Sequence, residues 1–343
     1  MKKIVKQQGT SCLCAVLLVV SMSGTACFRT PLGSASGLTP DGSAGHLDAP
    51  NLIGAKPDLA LALWPDVPPD LLPPDLPPDL RPGGEPAAVT FASVSAGYNS
   101  ACGLRTDGTI ACWGDNSSGE ATPPAGTFAS VGAGVHFACG LRTDGTIACW
   151  GDSYAVPTPP AGTFTSISVG DGLACGVRTN GTIACWGTVF FGAAVPLAGT
   201  FASVSAGDGS ACGLRTDGTI ACWGYGGVVA GTFTSVSAGA YFACGLRTNG
   251  TMACWGDYSQ APPPAGAAGT FAFVSAGDSF ACGLRTDGTI TCWGDNASGR
   301  ATPPAGTFAS VSAGYLFACG LRTDGTIACW GDNSFGEATP PAP

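Results

Sequence analysis

The sequence predicts an all-β fold in which residues 89–343 form a seven-bladed β-propeller. The first observation behind this prediction is a repeat of about 37 residues, in which two cysteines stand nine residues apart and a tryptophan follows the second cysteine. The second observation is the composition, because 53 glycines and 27 prolines leave no room for long helices with an apolar stripe. Strand-like segments separated by Asp-Gly or Asn-Gly turns fill each repeat, and a closed ring of seven such units protects the strand edges.

Each repeat contains three predicted strands, which in the first repeat span residues 91–97, 101–105 and 109–114. A three-residue turn between the second and third strands places Cys102 directly opposite Cys112. A two-residue turn would instead send these two side chains to opposite faces of the hairpin. We therefore expect the three-residue turn.

This register divides the side chains of the hairpin between two faces. Leu104 and Ile110 share the face of the cysteines, and Gly103 and Ala111 share the opposite face with Trp113. We expect the small residues to make room for the indole ring.

All seven hairpins are predicted to be closed by their own disulfide bonds. The spacing is the same in every repeat, the register brings the two sulfurs together, and an exported protein meets an environment in which disulfides persist. Bonds between neighbouring blades and reduced, buried thiols are the two alternatives. The predicted pairs are Cys102–Cys112, Cys139–Cys149, Cys175–Cys185, Cys212–Cys222, Cys244–Cys254, Cys282–Cys292 and Cys319–Cys329.

Residues 1–27 have the features of a bacterial export signal. A basic start precedes an apolar run at residues 12–20, and small residues follow it. The end of this segment resembles a lipoprotein signal, in which Cys27 would become the lipidated first residue, although Gly24 stands where that pattern prefers leucine. We expect a lipoprotein of the outer membrane or cell surface that touches the membrane only through its lipid. The alternative is ordinary signal cleavage and a soluble periplasmic or secreted protein.

Residues 28–88 are predicted to form a disordered tether rich in proline, aspartate and leucine. The Pro-Asp-Leu pattern over residues 65–80 favours extended polyproline-II backbone. At about 3.1 Å per residue this stretch would hold the propeller roughly 50 Å from its anchor. A ligand for a proline-recognising domain is the alternative interpretation.

The repeat Ser-Ala-Gly-x-x-x-Ala-Cys-Gly-Leu-Arg-Thr-Asp-Gly-Thr-Ile-Ala-Cys-Trp-Gly resembles that of the regulator-of-chromosome-condensation family. The resemblance covers residues 89–343 and implies a seven-bladed propeller, here in a compact, secreted form. The founding member of the family is a nucleotide exchange factor for a small GTPase on chromatin. Export, paired cysteines and the lack of a basic surface all argue against exchange activity here, which we keep only as a disfavoured alternative.

The charge distribution argues against nucleic acid as a partner. All four lysines lie before residue 60, and residues 89–343 carry eight arginines against 15 acidic residues. The two histidines, His46 and His136, belong to no Ser-His-Asp or Cys-His set, and no zinc-ligand spacing is present. We therefore predict that the protein is not an enzyme.

Two recurrent features receive structural interpretations. The arginine before each turn, Arg105 in the first repeat, is expected to pair with the nearby Asp107 rather than to form an anion site. The loop that begins at Asp115, with counterparts at Asp295 and Asp332, is superficially similar to a calcium loop but lacks the acidic residues and spacing of an EF-hand. We expect no cofactor, with Ca²⁺ as the alternative.

The repeats differ from one another mainly in two segments, the loop between the first and second strands and the loop after the third strand. Both lie at one end of the ring because consecutive strands run in opposite directions. Exposed aromatic residues mixed with Gly, Ser and Asp are typical of binding surfaces. The candidate binding residues are Tyr98, His136, Tyr154, Asp171, Phe190, Phe191, Asp208, Tyr225, Tyr241, Tyr258, Asp278, Tyr315 and Phe335.

We expect a monomeric, non-enzymatic binding module of the cell envelope that recognises an extracellular or periplasmic protein or glycan through this variable end. An alternative is a carbohydrate-active enzyme in which Asp171, Asp208 and Asp278 act as paired carboxylates near the mouth of the ring. A role in the core is equally open for Phe137, Phe242, Phe280 and Phe317.

Overall fold

The structure is a computed structural model that describes residues 13–19, 22–28, 90–152, 158–187, 196–224, 227, 229–256 and 271–341. Strands β1 (Leu13–Val19) and β2 (Met22–Phe28) pair antiparallel in a hairpin that belongs to a unit separate from the propeller. The expected tether lies outside the described residues apart from Phe28. The signal, its lipidation and the tether therefore stay predictions.

The propeller consists of seven three-stranded antiparallel sheets, here called blades 1 to 7 in chain order. The first strands are β3 (Phe91–Ala96), β6 (Phe128–Ala133), β9 (Phe164–Val169), β12 (Phe201–Ala206), β15 (Phe233–Ala238), β18 (Phe271–Ala276) and β21 (Phe308–Ala313). The second strands are β4 (Ser100–Arg105), β7 (Phe137–Arg142), β10 (Leu173–Arg178), β13 (Ser210–Arg215), β16 (Phe242–Arg247), β19 (Phe280–Arg285) and β22 (Phe317–Arg322). The third strands are β5 (Ile110–Gly114), β8 (Ile147–Gly151), β11 (Ile183–Gly187), β14 (Ile220–Gly224), β17 (Met252–Gly256), β20 (Ile290–Gly294) and β23 (Ile327–Gly331). The predicted fold class is confirmed.

A short 3₁₀ helix, Ala297–Gly299, follows β20. Within the described part of the chain, no helix has the length and apolar character needed to cross a membrane.

The hairpin between the second and third strands has the predicted register. In blade 1, Cys102 lies opposite Cys112. The Arg105 amide donates a hydrogen bond to the Thr109 carbonyl at 2.8 Å. Gly108 has a φ of +83°, in the left-handed region that the three-residue turn requires. The predicted ends of the three strands of this blade are correct to within one residue.

Each blade carries the disulfide bond predicted for it. The bonded cysteines are 10 residues apart in sequence, and their Cα atoms lie 4.0 Å apart. Both alternatives, bonds between blades and reduced thiols, are thus wrong for the structure. Closing a loop of this length stabilises the folded chain by about 2.8 kcal/mol in the chain-entropy account.

The hydrophobic core lies between neighbouring blades. The disulfide face of blade 1, with Cys102 and Leu104, packs against Phe128 and Trp150 of blade 2. Clusters of the same kind fill the other junctions. A blade therefore buries its two faces only between two neighbours, as expected for a repeat that cannot fold alone.

The ring closes by the same contacts between blade 7 and blade 1. Phe317 and Cys319 of blade 7 pack against Ala101 and Trp113 of blade 1. The Trp113 indole N–H donates a hydrogen bond to the carbonyl of Glu337, in the loop after blade 7, at 2.9 Å. The last described loop thus covers the first blade.

The predicted reason for the glycine of the second strand is wrong. A Cβ on Gly103 would lie 2.6 Å from the Phe91 ring and 3.1 Å from Ile327 of blade 7. The glycine therefore makes room for these two side chains rather than for Trp113. Phe91 itself packs edge-on against Trp113, with ring centroids 6.4 Å apart.

The recurrent arginine stacks on a phenylalanine, and in blade 2 no direct salt bridge joins Arg142 to the turn aspartate Asp144. The pKa of Asp144 is lowered mainly by hydrogen bonds from Thr146 and to a smaller extent by the charge of Arg142. In blade 2 the Arg142 guanidinium carbon lies 5.1 Å from the centre of the Phe128 ring, and blades 3 to 7 repeat this contact. Asp144 accepts hydrogen bonds from the amide and hydroxyl of Thr146 at 2.8 and 2.6 Å. The aspartate therefore stabilises the turn.

Neighbouring first strands are joined near the axis by a serine. The Ser95 hydroxyl accepts a hydrogen bond from the Ala133 amide of the next blade at 3.0 Å, and five other junctions have the equivalent bond. Between blades 2 and 3, Gly132 takes the place of the serine and Val169 the place of the alanine. A Cβ on Gly132 would lie 2.7 Å from Val169 Cγ2, so the valine fills the space that the serine leaves.

The fit between Gly132 and Val169 predicts that substitutions at these two positions have non-additive effects on stability. Gly132→Ser alone should lower the free energy of unfolding by about 1–3 kcal/mol, because the added side chain overpacks against Val169. Val169→Ala alone should cost about 1 kcal/mol, because it removes two methyl groups from a partly buried side chain. The double variant restores the junction used elsewhere in the ring and should unfold close to the parent midpoint in guanidinium chloride. Additive losses in the double variant would show that the two positions are not coupled.

Candidate binding site

A shallow depression of about 110 Å³ lies on the axis, where the first strands end. Each first strand is followed by a glycine, and these glycines line the depression together with the residues before them, which are six alanines and Val169. A Cβ on Gly97 would lie 2.6 Å from the Gly134 carbonyl oxygen, and the same close approach recurs at every junction until Gly314 meets Gly97. The floor is therefore a closed ring of backbone.

The residue directly after each floor glycine forms the wall of the depression. These seven positions are equivalent in the repeat, yet they carry two tyrosines, three aspartates and two small apolar residues. In the order of blades 1 to 7 the wall residues are Tyr98, Val135, Asp171, Asp208, Ala240, Asp278 and Tyr315.

The structure brings together some of the predicted binding residues and separates others. Those on the wall are Tyr98, Asp171, Asp208, Asp278 and Tyr315. Those that are described but do not line the depression are His136, Tyr241 and Phe335, with the two aromatic side chains 47% and 52% exposed. Those outside the described residues are Tyr154, Phe190, Phe191, Tyr225 and Tyr258.

Two wall residues, Val135 and Ala240, were not predicted from the sequence, because they are neither aromatic nor charged. Their position directly after the glycine of each repeat is the signal that would have found them. The phenylalanines for which a core role was left open are all buried between blades, and they are Phe137, Phe242, Phe280 and Phe317.

Tyr98 and Tyr315 meet at the junction where the ring closes. Their rings are stacked, with centroids 4.0 Å apart and planes 21° apart. A hydrogen bond with Tyr98 raises the pKa of the Tyr315 phenol above its ordinary value. The Tyr315 amide also donates to the Gly97 carbonyl at 3.0 Å, which ties the pair to the floor.

The three wall aspartates share an environment that disfavours their charged form. The pKa of Asp171 is raised to about 6, mainly by burial and next by the charge of Asp208. The charge of His136 lowers this pKa and that of Asp278 raises it. Burial is also the main cause of the raised pKa values of Asp208 and Asp278. Asp171 still contacts solvent on one side, so a ligand can reach its carboxylate.

Arg300 lies near Asp278, but its ion pair is with Asp295. It is only 4% exposed, and its Nη2 atom lies 2.6 Å from Asp295 Oδ2. Its Nη1 atom donates to Ser279 Oγ at 3.1 Å and to the Tyr315 carbonyl at 3.3 Å. The side chain therefore supports the wall and does not line the depression.

The loop that was compared with a calcium loop directs its oxygens to its own backbone. Asp115 Oδ1 accepts a hydrogen bond from the Ser117 amide at 2.9 Å, and Glu120 Oε2 accepts one from Ser118 at 2.9 Å. The Glu120 carbonyl accepts the indole N–H of Trp150 at 2.8 Å, so the loop covers the next blade. No group of three or more His, Cys, Asp or Glu side chains in the described ranges is placed to hold a metal ion.

The fold and the repeat define a disulfide-linked β-propeller, and part of the repeat array matches a known sequence profile. Five segments match the Regulator of chromosome condensation (RCC1) repeat, and they are residues 91–120, 201–228, 233–259, 271–300 and 308–337. These segments lie in blades 1, 4, 5, 6 and 7. Five of the seven blades thus carry RCC1 repeats.

Two solved plant structures are similar to this chain at 27% sequence identity. The ectodomain of the receptor kinase CR4 from Physcomitrella patens has a TM-score of 0.62 over 71% of this chain and 74% of that one. The CRINKLY WD40 ectodomain of the receptor kinase ACR4 from Arabidopsis thaliana has a TM-score of 0.63 over 74% of this chain and 100% of that one. Human WBSCR16 shares the fold at 14% identity, with a TM-score of 0.56 over 66% and 85% of the two chains. No curated protein sequence matches the chain.

The raised pKa of Asp171 predicts a pH dependence of stability. A carboxyl whose pKa is higher in the folded state destabilises the fold above that pKa, and the penalty disappears as pH falls from about 6 towards 4. Asp171→Asn should therefore raise the thermal midpoint at neutral pH and leave it unchanged near pH 4, measured by calorimetry.

A turn aspartate provides the control for this measurement. Asp107 has a lowered pKa because Thr109 donates hydrogen bonds to it, so its contribution has the opposite sign. Blades 3 and 5 carry Asn180 and Asn249 at this position, so asparagine fits the turn. Asp107→Asn should not raise the neutral midpoint, and equal midpoints of Asp171→Asn and parent from about pH 4 to 8 would contradict the assignment.

Proposed function

We propose that the protein is a non-enzymatic binding propeller of the bacterial cell envelope, which recognises an extracellular or periplasmic protein or glycan at the mouth of the ring. The observation that carries this proposal is the contrast between the two ends of the propeller. At the mouth, seven equivalent wall positions hold four residue types. At the opposite end, every blade has the same Asp or Asn side chain bonded to the threonine two residues later. Side chains that vary between repeats only at a concave site are typical of a ligand-binding surface.

Two observations support a location outside the cytoplasm. Seven disulfide bonds in one domain are typical of proteins in an oxidising environment. The two plant structures that are similar to this chain are receptor-kinase ectodomains. We further propose that the protein is a lipoprotein anchored through a lipid on Cys27, and that residues 28–88 form the tether between the anchor and the propeller.

Lipidation predicts a specific change of location. In the native host, Cys27→Ala should move the full-length protein from the membrane fraction into the soluble fraction. Cys14→Ala is the matched control, because this cysteine lies inside the apolar run and away from the cut site. Membrane association that survives Cys27→Ala would exclude a lipid at this position as the anchor.

The binding proposal predicts that only changes at the mouth affect capture of a partner. The exported protein, purified from the host and cross-linked to envelope extract, should lose at least about tenfold of its captured partner when Tyr98→Ala and Asp208→Asn are combined. The turn-end variants Asp107→Asn and Asp144→Asn should retain capture. Equal capture by both sets, or none by the parent, would refute a binding site at the mouth.

A second candidate function rests on the pKa of Asp171. A carboxyl with a pKa of about 6 beside further carboxylates resembles the general acid of a glycoside hydrolase. The discriminating readout is the release of reducing sugar from envelope glycans. Turnover that Asp171→Asn abolishes would favour the enzyme, whereas capture without turnover favours the binding propeller.

A further inference from the structure

The stacked tyrosine pair is the most distinctive feature of the mouth. Tyr98 and Tyr315 are half-buried, line the depression, and come from the first and last blades. Aromatic rings in a concave site attract organic cations to their faces, and phenol oxygens accept hydrogen bonds from ammonium or guanidinium groups. A pair of such side chains on one wall therefore points to a cationic ligand.

The remainder of the wall supports the same ligand class. Asp171 and Asp208 lie on adjacent blades, and Asp278 lies between them and Tyr315 in ring order. Among the described lining residues no basic side chain neutralises these carboxylates, and Arg300 is already bonded to Asp295. A ligand cation would meet aromatic groups on one side and carboxylates on the other.

The size of the depression limits the ligand further. At about 110 Å³ it is much smaller than the pockets that enclose drug-sized ligands, which measure roughly 300–1,000 Å³. It can accept the end of one side chain, but not several sugar units. The floor is backbone packed too closely for any side chain to retract, so the depression cannot deepen without breaking the ring.

We infer that the mouth of the propeller is a receptor for a single basic side chain, lysine or arginine, presented by a partner protein. The stacked Tyr98 and Tyr315 hold the apolar stem and the cation, and the carboxylates of Asp171 and Asp208 accept its hydrogen bonds. This inference rests on the proposed binding function and narrows its partner from protein or glycan to a protein with an exposed basic residue.

To test this inference, the exported protein is titrated with each of three blocked tripeptides, and binding is monitored by NMR. These are acetyl-Gly-Lys-Gly-amide, acetyl-Gly-Arg-Gly-amide and the neutral acetyl-Gly-Gln-Gly-amide. One or both basic peptides should bind at least tenfold more tightly than the neutral peptide. Equal binding of all three, or binding of a methyl glycoside in preference to the basic peptides, would overturn the inference.

Substitutions at the wall test the assigned roles. Tyr98→Ala and Asp208→Asn should each weaken basic-peptide binding at least fivefold, whereas Tyr98→Phe, which keeps the ring, should retain most of it. Tyr241→Ala is the matched control, because this tyrosine is exposed but outside the depression. Loss of binding in Tyr241→Ala equal to that in Tyr98→Ala would refute the site. If Tyr98→Ala unfolds, Asp208→Asn takes its place in this comparison.

The pH dependence of binding offers an independent readout. Affinity for the basic peptide should fall severalfold between pH 7.5 and 5, as the mouth carboxylates take up protons. The charged groups that face Asp171 are Asp208, Asp278 and His136, and His136→Gln separates the histidine from the carboxylates. The decrease should persist in His136→Gln and be smaller in Asp171→Asn, and the reverse result would contradict the assignment.

Failure of this inference is distinguishable from failure of the proposed function. If mouth variants lose the envelope partner but acetylation of the partner's lysines and blocking of its arginines leave capture unchanged, the binding function stands and the basic side chain is excluded. If the parent captures no partner and binds no basic peptide, both are wrong.

Discussion

At the axis of the ring, the backbones of neighbouring blades approach so closely that a Cβ has no room. A Cβ on Gly207 would lie 2.0 Å from the Gly239 carbonyl oxygen, and the other junctions are almost as tight. Because the backbone alone makes this ring, the residue after each glycine has a position on the wall that does not depend on its side chain. Tyr98, Asp171 and Ala240 can therefore occupy equivalent positions in one closed structure.

Away from the axis, the packing between blades depends on a second glycine. Gly103 allows Phe91 of its own blade and Ile327 of the preceding blade to meet over the second strand. The disulfide bonds lie on the opposite face of each hairpin, where they pack against the phenylalanine or tryptophan of the neighbouring blade. Covalent links and large aromatic rings thus compensate for strands that are mostly Ala, Ser and Gly.

The hairpin could be predicted from sequence because its constraints are local, whereas the site depends on contacts that are not. Only the register of a three-residue turn places Cys102 opposite Cys112, so the strands, the turn and the disulfide could be predicted together. The role of Gly103 was missed because Ile327 reaches it only after the ring has closed. The stack of Tyr98 on Tyr315 likewise joins residues more than 200 positions apart. His136 and Tyr241 were grouped with Asp171 because composition alone does not show which loop position points to the axis.

The disulfide pattern has a consequence for how the protein is made. Every bond joins a cysteine to the next cysteine of the propeller, 10 residues later. During export, therefore, each pair leaves the membrane together, before the next pair follows. An oxidase that couples cysteines in their order of emergence produces the native set directly. The native set of bonds thus forms without any exchange step when the cysteines are coupled in chain order.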